Sequence, residues 1–279
     1  MLAEYAIREA SELLKKNKVV SHNLDAEILL SNILGVSREF LIVNNNLSIS
    51  KKVKQQYKNV IARRIKQEPI AYITGKKEFW SENFLVNRFT LIPRPETELL
   101  IYKIVSYFKN RSINILDIGT GSGCILLSII KDLKKSKGIG IDISPNAIQI
   151  AKINSRKLNL SLRAKFRVFD INKYTVGKYD LIVSNPPYVP LKEIKNLCKD
   201  ITKYEPLIAL NGGIDGLDLI KKVIYKSTYL LKRKGLLAIE IGNQQYLKVS
   251  NMLKRNGFIE LNREYDYKNN VRCIISTKT

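Results

Sequence analysis

Residues 113–133 read INILDIGTGSGCILLSIIKDL. An apolar, β-branched run from Ile113 to Ile118 predicts a strand, and apolar residues at helical spacing after Cys124 predict a helix. Between them stand Gly119, Gly121 and Gly123. Glycines there permit a tight turn and let backbone N–H groups approach a ligand that side chains would exclude. The dinucleotide fingerprint G-x-G-x-x-G needs its third glycine at position 124, where this chain has Cys124; the spacing is G-x-G-x-G. An ordinary strand–helix turn could carry the same glycines, so the neighbouring segments matter.

Strands and helices alternate on both sides of this stretch. A helix is expected through ETELLIYKIVSYF (96–108). After the loop come strand GIGID, helix PNAIQIAKINSRKL, and strands KFRVFD and YDLIVSN. Helix DGLDLIKKVIYKSTYLL, strand GLLAIEIG, helix YLKVSNMLKRN and strands GFIEL and VRCIIST finish the chain. Apolar strands alternating with helices predict an α/β fold, a parallel sheet covered on both faces. Ligands on such sheets sit at the carboxyl ends of the strands, near the switch in strand order. Upstream, AEYAIREASELLKK, DAEILLSNILG and Lys51–Lys66 carry apolar residues at three- and four-residue spacing and predict helices. Ser21 or Asn23 is the expected cap of the second helix, Gly35 its end, and Ser50 the cap of the last. Residues 78–92, with Phe79, Trp80, Phe84, Val86 and Phe89, predict a hairpin. The expected organisation is therefore a helical domain at 1–75, a β-hairpin connector at 76–93 and a larger α/β domain at 94–279.

Asp142 ends the strand after the glycine loop, where a carboxylate can accept from both hydroxyls of a ribose. Capping the following helix is the plainer role, although Ser144 is better placed for it. The G-x-G-x-G loop preceded by Asp117 resembles motif I of S-adenosylmethionine-dependent methyltransferases. That resemblance implies Asp170, at the end of the next strand, for the adenine amino group and Ile171 beside the ring.

Strand YDLIVS runs into Asn185-Pro186-Pro187-Tyr188. Two prolines stiffen the loop and remove two backbone donors. The Asn185 side-chain oxygen and the Pro186 carbonyl can each accept one N–H of a planar NH2 group, with Tyr188 against its plane. Amides and base amino groups are poor nucleophiles, so positioning and electrostatics would carry the rate. N-P-P-Y alone fits adenine, guanine and glutamine as acceptors equally.

Other stretches separate them. EPIAYITGKKEFW, LIPRPETELLI, LDIGTGSG, DLIVSNPPYVP, YEPLIALNGGIDGLD and LAIEIGNQ make the sequence resemble the HemK/PrmC family of release-factor glutamine methyltransferases along essentially its whole length. The resemblance implies a seven-stranded Rossmann-like methyltransferase domain behind a small helical domain that holds the substrate. It implies S-adenosylmethionine contacts at Gly119, Thr120, Gly121, Ser122, Gly123, Asp142, Asp170, Ile171 and Asn185. The amide grip would be Asn185, Pro186, Pro187 and Tyr188, with Asn185, Pro186 and Tyr188 carrying catalysis. The block Arg94 to Glu98 would lie over the cofactor side, and Glu205 with the Gly212–Gly216 segment would shape the substrate side. Two departures stand out: Cys124 where alanine is usual, and YDYKNNVR in place of a glycine-containing loop.

The expected reaction is methyl transfer to the side-chain amide nitrogen (N5) of the Gly-Gly-Gln glutamine of peptide chain release factors. The rivals are a nucleic-acid methyltransferase acting on adenine N6 or guanine N2, and a non-catalytic binding module. Gly119 to Tyr188 spans only 70 residues, too few for a target-recognition insert, and an intact glycine loop with Asn185 argues for an enzyme. Composition narrows the classes further. The chain is 279 residues long, 45% hydrophobic and 26% charged, which suits a globular fold. Its longest uncharged run, Ile118–Ile130, is too short for a membrane helix, and Glu4, Arg8 and Glu9 fit no signal peptide. Cys124, Cys198, Cys273 and the lone His22 offer no metal-ligand spacing and suit a reducing cytoplasm. The formal charge is +23, mostly beyond residue 75. A basic domain attracts nucleic acid or acidic proteins, but 34 Lys against 14 Arg is also what AT-rich coding produces. A cytoplasmic monomer that needs no metal and no nucleic acid is expected.

Overall fold

The computed structural model describes residues 1–279, which divide into two units: Met1–Lys76 with Cys198–Tyr204, and Lys77–Leu197 with Glu205–Thr279. The first unit is helical: α1 (Ala3–Lys16), α2 (His22–Leu34), α3 (Arg38–Val43), α4 (Lys51–Ile65) and α5 (Ile70–Thr74). Ala3, Ala6, Ala10 and Leu14 lie along one face of α1 and pack with Ala26, Leu29 and Leu30 of α2 and Tyr57 and Ile61 of α4. Tyr57 O–H donates to the Ala26 carbonyl at 2.8 Å, and a buried Arg64–Asp25 ion pair at 2.7 Å ties α4 to α2.

The capping expectations divide. Ser50 caps α4 by accepting from Val53 N–H, and Gly35 ends α2 in the left-handed conformation. Helix α2 starts earlier than expected, and the Ser21 side chain caps nothing; Asn23 instead accepts from Ser11 Oγ. Helices α3 and α5, of six and five residues, were not expected from periodicity, because a single turn carries too little of it.

The second unit opens with the hairpin, β1 (Lys76–Phe79) and β2 (Glu82–Leu85), turning through Trp80 and Ser81 at φ 52 and 56. Although expected as a connector, it packs into this unit: Phe79 and Phe84 are buried in its core, and Leu85 N–H donates to Asn154 Oδ1 at 2.7 Å. There follow α6 (Thr97–Tyr107), β3 (Asn114–Ile118), α7 (Cys124–Asp132), β4 (Lys137–Asp142), α8 (Pro145–Lys157), β5 (Ala164–Val168) and β6 (Tyr179–Ser184). After α9 (Leu191–Ile194) the chain crosses to the first unit for α10 (Lys199–Tyr204). It returns for α11 (Asp218–Leu230), β7 (Leu231–Glu240), α12 (Tyr246–Arg255), β8 (Phe258–Tyr265) and β9 (Val271–Lys278).

Seven strands form one sheet in the order β5-β4-β3-β6-β7-β9-β8. From β5 to β7 it is parallel, while β9 runs antiparallel to both β7 and β8, so the sheet is mixed rather than wholly parallel. The reason is local: only Asp266–Asn270 separate β8 from β9, too few residues for a crossover. The strand order turns back between β3 and β6, which places the switch point at their carboxyl ends.

Asp117 of β3 lies at the centre of this sheet, fully buried. Its Oδ2 accepts from Thr120 O–H at 2.6 Å, while Oδ1 has no hydrogen-bond partner. Burial pushes its carboxyl up to about 7, against which the Thr120 bond pulls. A native acid that holds its proton more tightly than the unfolded chain loses stability as pH rises from the unfolded pKa to the native one. Asp117→Asn, which removes the charge and keeps the shape, should therefore gain melting temperature relative to the parent between pH 5 and pH 8. Parallel melting curves across that range would refute the assignment.

Candidate active site

Parallel pairing sets Ile118 of β3 beside Ser184 of β6. Ser184 O–H donates to the Ile118 carbonyl at 2.7 Å. Gly119 and Asn185 therefore leave the sheet side by side, and two motifs 66 residues apart in sequence meet at one edge.

The glycine loop hangs on β4. Gly119 and Thr120 N–H both donate to the Ile141 carbonyl, at 2.9 and 3.0 Å. The Asp142 carboxylate accepts from Gly121 N–H and Ser144 N–H, each at 2.9 Å. Burial pushes the Asp142 carboxyl up, and these backbone N–H groups oppose the rise. Ser144 is the cap of α8, accepting from Ala147 N–H, which leaves Asp142 for the loop. Gly119 and Gly121 have positive φ, and a side chain on either would point into open space. That space is a cleft of about 400 Å³.

Gly119, Thr120, Gly121, Ser122, Asp142, Asp170, Ile171, Asn185 and Pro187 line the cleft, with Phe89, Ile125, Ile143 and Phe169 adding apolar wall. Asp170 Oδ1 is occupied by the N–H groups of Asn172 at 2.8 and 2.9 Å, a turn that fixes its carboxylate. Gly123, expected among the cofactor contacts, faces away from the cleft. A Cβ there would press on Phe166, Ala151 and Leu127 at 3.1–3.2 Å, so its task is the close packing of α7 on the sheet. A glycine cradle, a carboxylate beside it and a second acid next to an apolar wall suit the amino acid, ribose and adenine parts of S-adenosylmethionine.

Pro186 and Tyr188 are not part of the cleft wall. Pro186 is buried, and its carbonyl accepts no hydrogen bond within the chain. Asn185 Nδ2 donates to Thr97 Oγ1 at 3.2 Å, and Thr97 O–H donates to Glu240 Oε2 at 2.6 Å. Tyr188 O–H donates to Glu240 Oε1 at 3.3 Å. Burial and the neighbouring Glu240 carboxylate push the Tyr188 phenol well above its ordinary value. Burial likewise raises Glu240, while Thr97 and the Arg272 guanidinium favour its ionised form. The block Arg94–Glu98, expected over the cofactor side, thus reaches the Asn185–Tyr188 loop through Thr97.

Two other side chains and a glycine segment hold this wall. Gln245 Nε2 donates to the Tyr188 and Gly216 carbonyls at 2.9 and 3.2 Å, while its Oε1 accepts from Gly242 N–H at 2.8 Å. Glu205, 6% exposed, accepts from Arg94 Nη2 at 2.6 Å and Ile92 N–H at 3.2 Å. The Gly212–Gly216 segment packs directly on the Asn185–Tyr188 loop: a Cβ on Gly216 would lie 2.3 Å from the Tyr188 carbonyl, and one on Gly212 2.7 Å from that of Pro187. Of these residues, reading the sequence assigned no chemistry to Thr97, Glu240, Gln245 or Glu205. Thr97, Glu240 and Glu205 lie in stretches that carry the family resemblance, and Gln245 directly follows one of them.

Comparison with known proteins agrees with this geometry. Residues 5–75 match the PrmC N-terminal domain and residues 109–263 a Methyltransferase domain. The chain is 39% identical to the release factor glutamine methyltransferase of Clostridium acetobutylicum, over 98% of this chain and 97% of that protein. It is 43% identical to the release factor glutamine methyltransferase of Buchnera aphidicola subsp. Schizaphis graminum, over 95% and 98%. Among solved structures, a methyltransferase from Pyrococcus furiosus shares the fold with a TM-score of 0.54 at 17% identity, covering 79% of this chain and 98% of that one. Near full-length identity, both domain matches and the S-adenosylmethionine-type cleft make this chain a member of the release factor glutamine methyltransferase family.

Proposed function

We propose that this protein methylates the side-chain amide nitrogen (N5) of the glutamine in the Gly-Gly-Gln motif of peptide chain release factors. The observation that carries the reading is the setting of Asn185. Its nitrogen is engaged by Thr97 while its Oδ1 accepts nothing from the chain, beside a Pro186 carbonyl that is also without a donor. Asn185 is half-buried in the cleft wall, so its oxygen is open to an incoming group, and an amide NH2 group offers two donors in one plane. The relatives' names give the glutamine and the release factor as acceptor.

S-adenosylmethionine, when bound, supplies an electrophilic methyl group; the glycine cradle, Asp142, Asp170 and Ile171 would hold it. The protein's own contribution is to bind and aim the amide. An amide nitrogen is weakly nucleophilic because its lone pair is delocalised into the carbonyl. Accepting both of its N–H groups at Asn185 Oδ1 and the Pro186 carbonyl turns the nitrogen's π face toward the donor. The same two dipoles stabilise the positive charge that builds on nitrogen as the bond forms. An N-alkylated amide carrying that charge is strongly acidic, so its proton passes to water without a dedicated base. Tyr188 does not serve as one: burial and the neighbouring Glu240 carboxylate keep its phenol protonated. Pro187 in the cleft wall keeps the loop stiff.

Methyl-labelled S-adenosylmethionine should label an unmethylated release factor and leave unlabelled the same factor with its Gly-Gly-Gln glutamine changed to alanine. Peptide mass spectrometry should place the methyl on that glutamine. Label in DNA or RNA alone would overturn the reading. Asn185→Ala should remove most of the turnover while leaving cofactor affinity within about three-fold; full activity would refute the amide grip. Asp142→Ala should weaken cofactor binding by roughly ten- to a hundred-fold in calorimetry, as expected for hydrogen bonds to a charged group. Unchanged affinity would refute the ribose assignment.

A further inference from the structure

Which way round the Asn185 amide sits decides whether the site presents an acceptor or a donor to the incoming NH2 group. The oxygen and nitrogen of an asparagine side chain are nearly isosteric, so shape does not select one orientation; hydrogen-bond partners do. Asn185 touches one such partner, Thr97 Oγ1, and a hydroxyl can donate or accept. Thr97 therefore leaves the choice open unless something fixes its own proton.

Glu240 fixes it. This side chain is 1% exposed at the end of β7, and each of its oxygens accepts from a hydroxyl, Oε2 from Thr97 and Oε1 from Tyr188. Thr97 must then point its hydrogen at Glu240 Oε2, 2.6 Å away, which leaves only lone pairs toward Asn185. Lone pairs require a donor, so Asn185 turns its NH2 to Thr97 and keeps its oxygen for the substrate. The second carboxylate oxygen takes Tyr188 O–H, so one buried charge orients two side chains of the acceptor loop. Arg272 favours this charge from β9, Glu96 opposes it from the start of α6, and Cys273 stands opposite Glu240 in register.

We propose that Glu240, acting through Thr97, is a positioning residue for methyl transfer: it imposes the orientation in which Asn185 offers oxygen, not nitrogen, to the substrate amide. The inference rests on the proposed glutamine methylation for its kinetic test, but not for its spectroscopic one. Were the polarity reversed, Asn185 would present N–H to an N–H, and the substrate nitrogen would lose half of its grip.

The test compares Thr97→Val, isosteric but unable to relay, with Thr97→Ser, which keeps the hydroxyl, and with Glu240→Gln, which keeps the size but can also donate. Thr97→Val should lower kcat roughly ten- to a hundred-fold, the scale of a misplaced reacting group. The KM for release factor and the cofactor Kd should stay within about three-fold, and Thr97→Ser should restore kcat to within about three-fold of the parent. Glu240→Gln should lower kcat in the same manner. Independently of activity, the side-chain NH2 resonances of Asn185, assigned through Asn185→Ala, should move in Thr97→Val and return in Thr97→Ser. A purely structural role predicts a lower melting temperature with kcat intact in the folded fraction, and that result would overturn the proposal. So would parental kcat and unmoved resonances in both Thr97→Val and Glu240→Gln. If the parent protein fails to methylate release factor, the proposed function falls, and the resonances alone then decide the role of Glu240. Loss of folding in one variant leaves the other to give the result.

Discussion

Two neighbouring parallel strands leave a sheet at the same edge, and β3 and β6 leave this one as a glycine loop and a proline loop. Everything else in the second unit depends on that adjacency. It needs no long-range chemistry: the pairing of Ile118 with Ser184 follows from the turn in strand order, and the Ser184 hydroxyl ties the two strands at the point of exit. A one-residue slip would turn side chains to the opposite face and offset the loops. The two loops that would serve donor and acceptor in the proposed reaction are thus set by register before any side chain is considered.

The two halves were legible in the sequence because each is local. Gly119, Gly121 and Gly123 fall within five consecutive positions after an apolar strand, and Asn185 to Tyr188 are contiguous. Asp142 was singled out by its place at the end of a predicted strand, and Asp170 by the methyltransferase resemblance. The supports were not legible. Thr97 is 88 residues from Asn185, and Glu240 is 143 from Thr97. No periodicity links a hydroxyl at a helix start to a carboxylate at a strand end. Gly123 belongs to the same pattern, and the pattern does not reveal that a side chain there would press on Phe166. The antiparallel β9 and the short α3 and α5 escaped for a different reason, since each follows from loop length or a single turn rather than from a repeating pattern.

Stiffness is distributed unevenly around the cleft. The cofactor side is built from backbone: amide groups donating to the Ile141 carbonyl and to Asp142. The side around Asn185–Tyr188 is built from side chains that bridge distant segments, with Gln245 on two carbonyls, Glu205 on Arg94 and Glu240 on two hydroxyls. Substitutions on the first side are constrained by sterics, and those on the second by the satisfaction of buried polar groups. A single exchange such as Gln245→Leu would strand three backbone groups at once, whereas Cys124 in place of alanine changes only a small buried side chain.

The segment Cys198–Tyr204 groups with the N-terminal helices although the chain has by then formed β6 and both loops of the cleft. Its Tyr204 hydroxyl donates to the Lys66 carbonyl at 2.8 Å, closing the end of α4 with a residue 138 positions later. During vectorial synthesis the helical unit therefore emerges first but is finished late. It waits on a strap that leaves the ribosome only after most of the sheet's parallel half has been made. An N-terminal fragment cut at the hairpin would lack that strap, so the two units are not interchangeable modules, and shuffling either one between relatives must carry residues 198–204 with the helices.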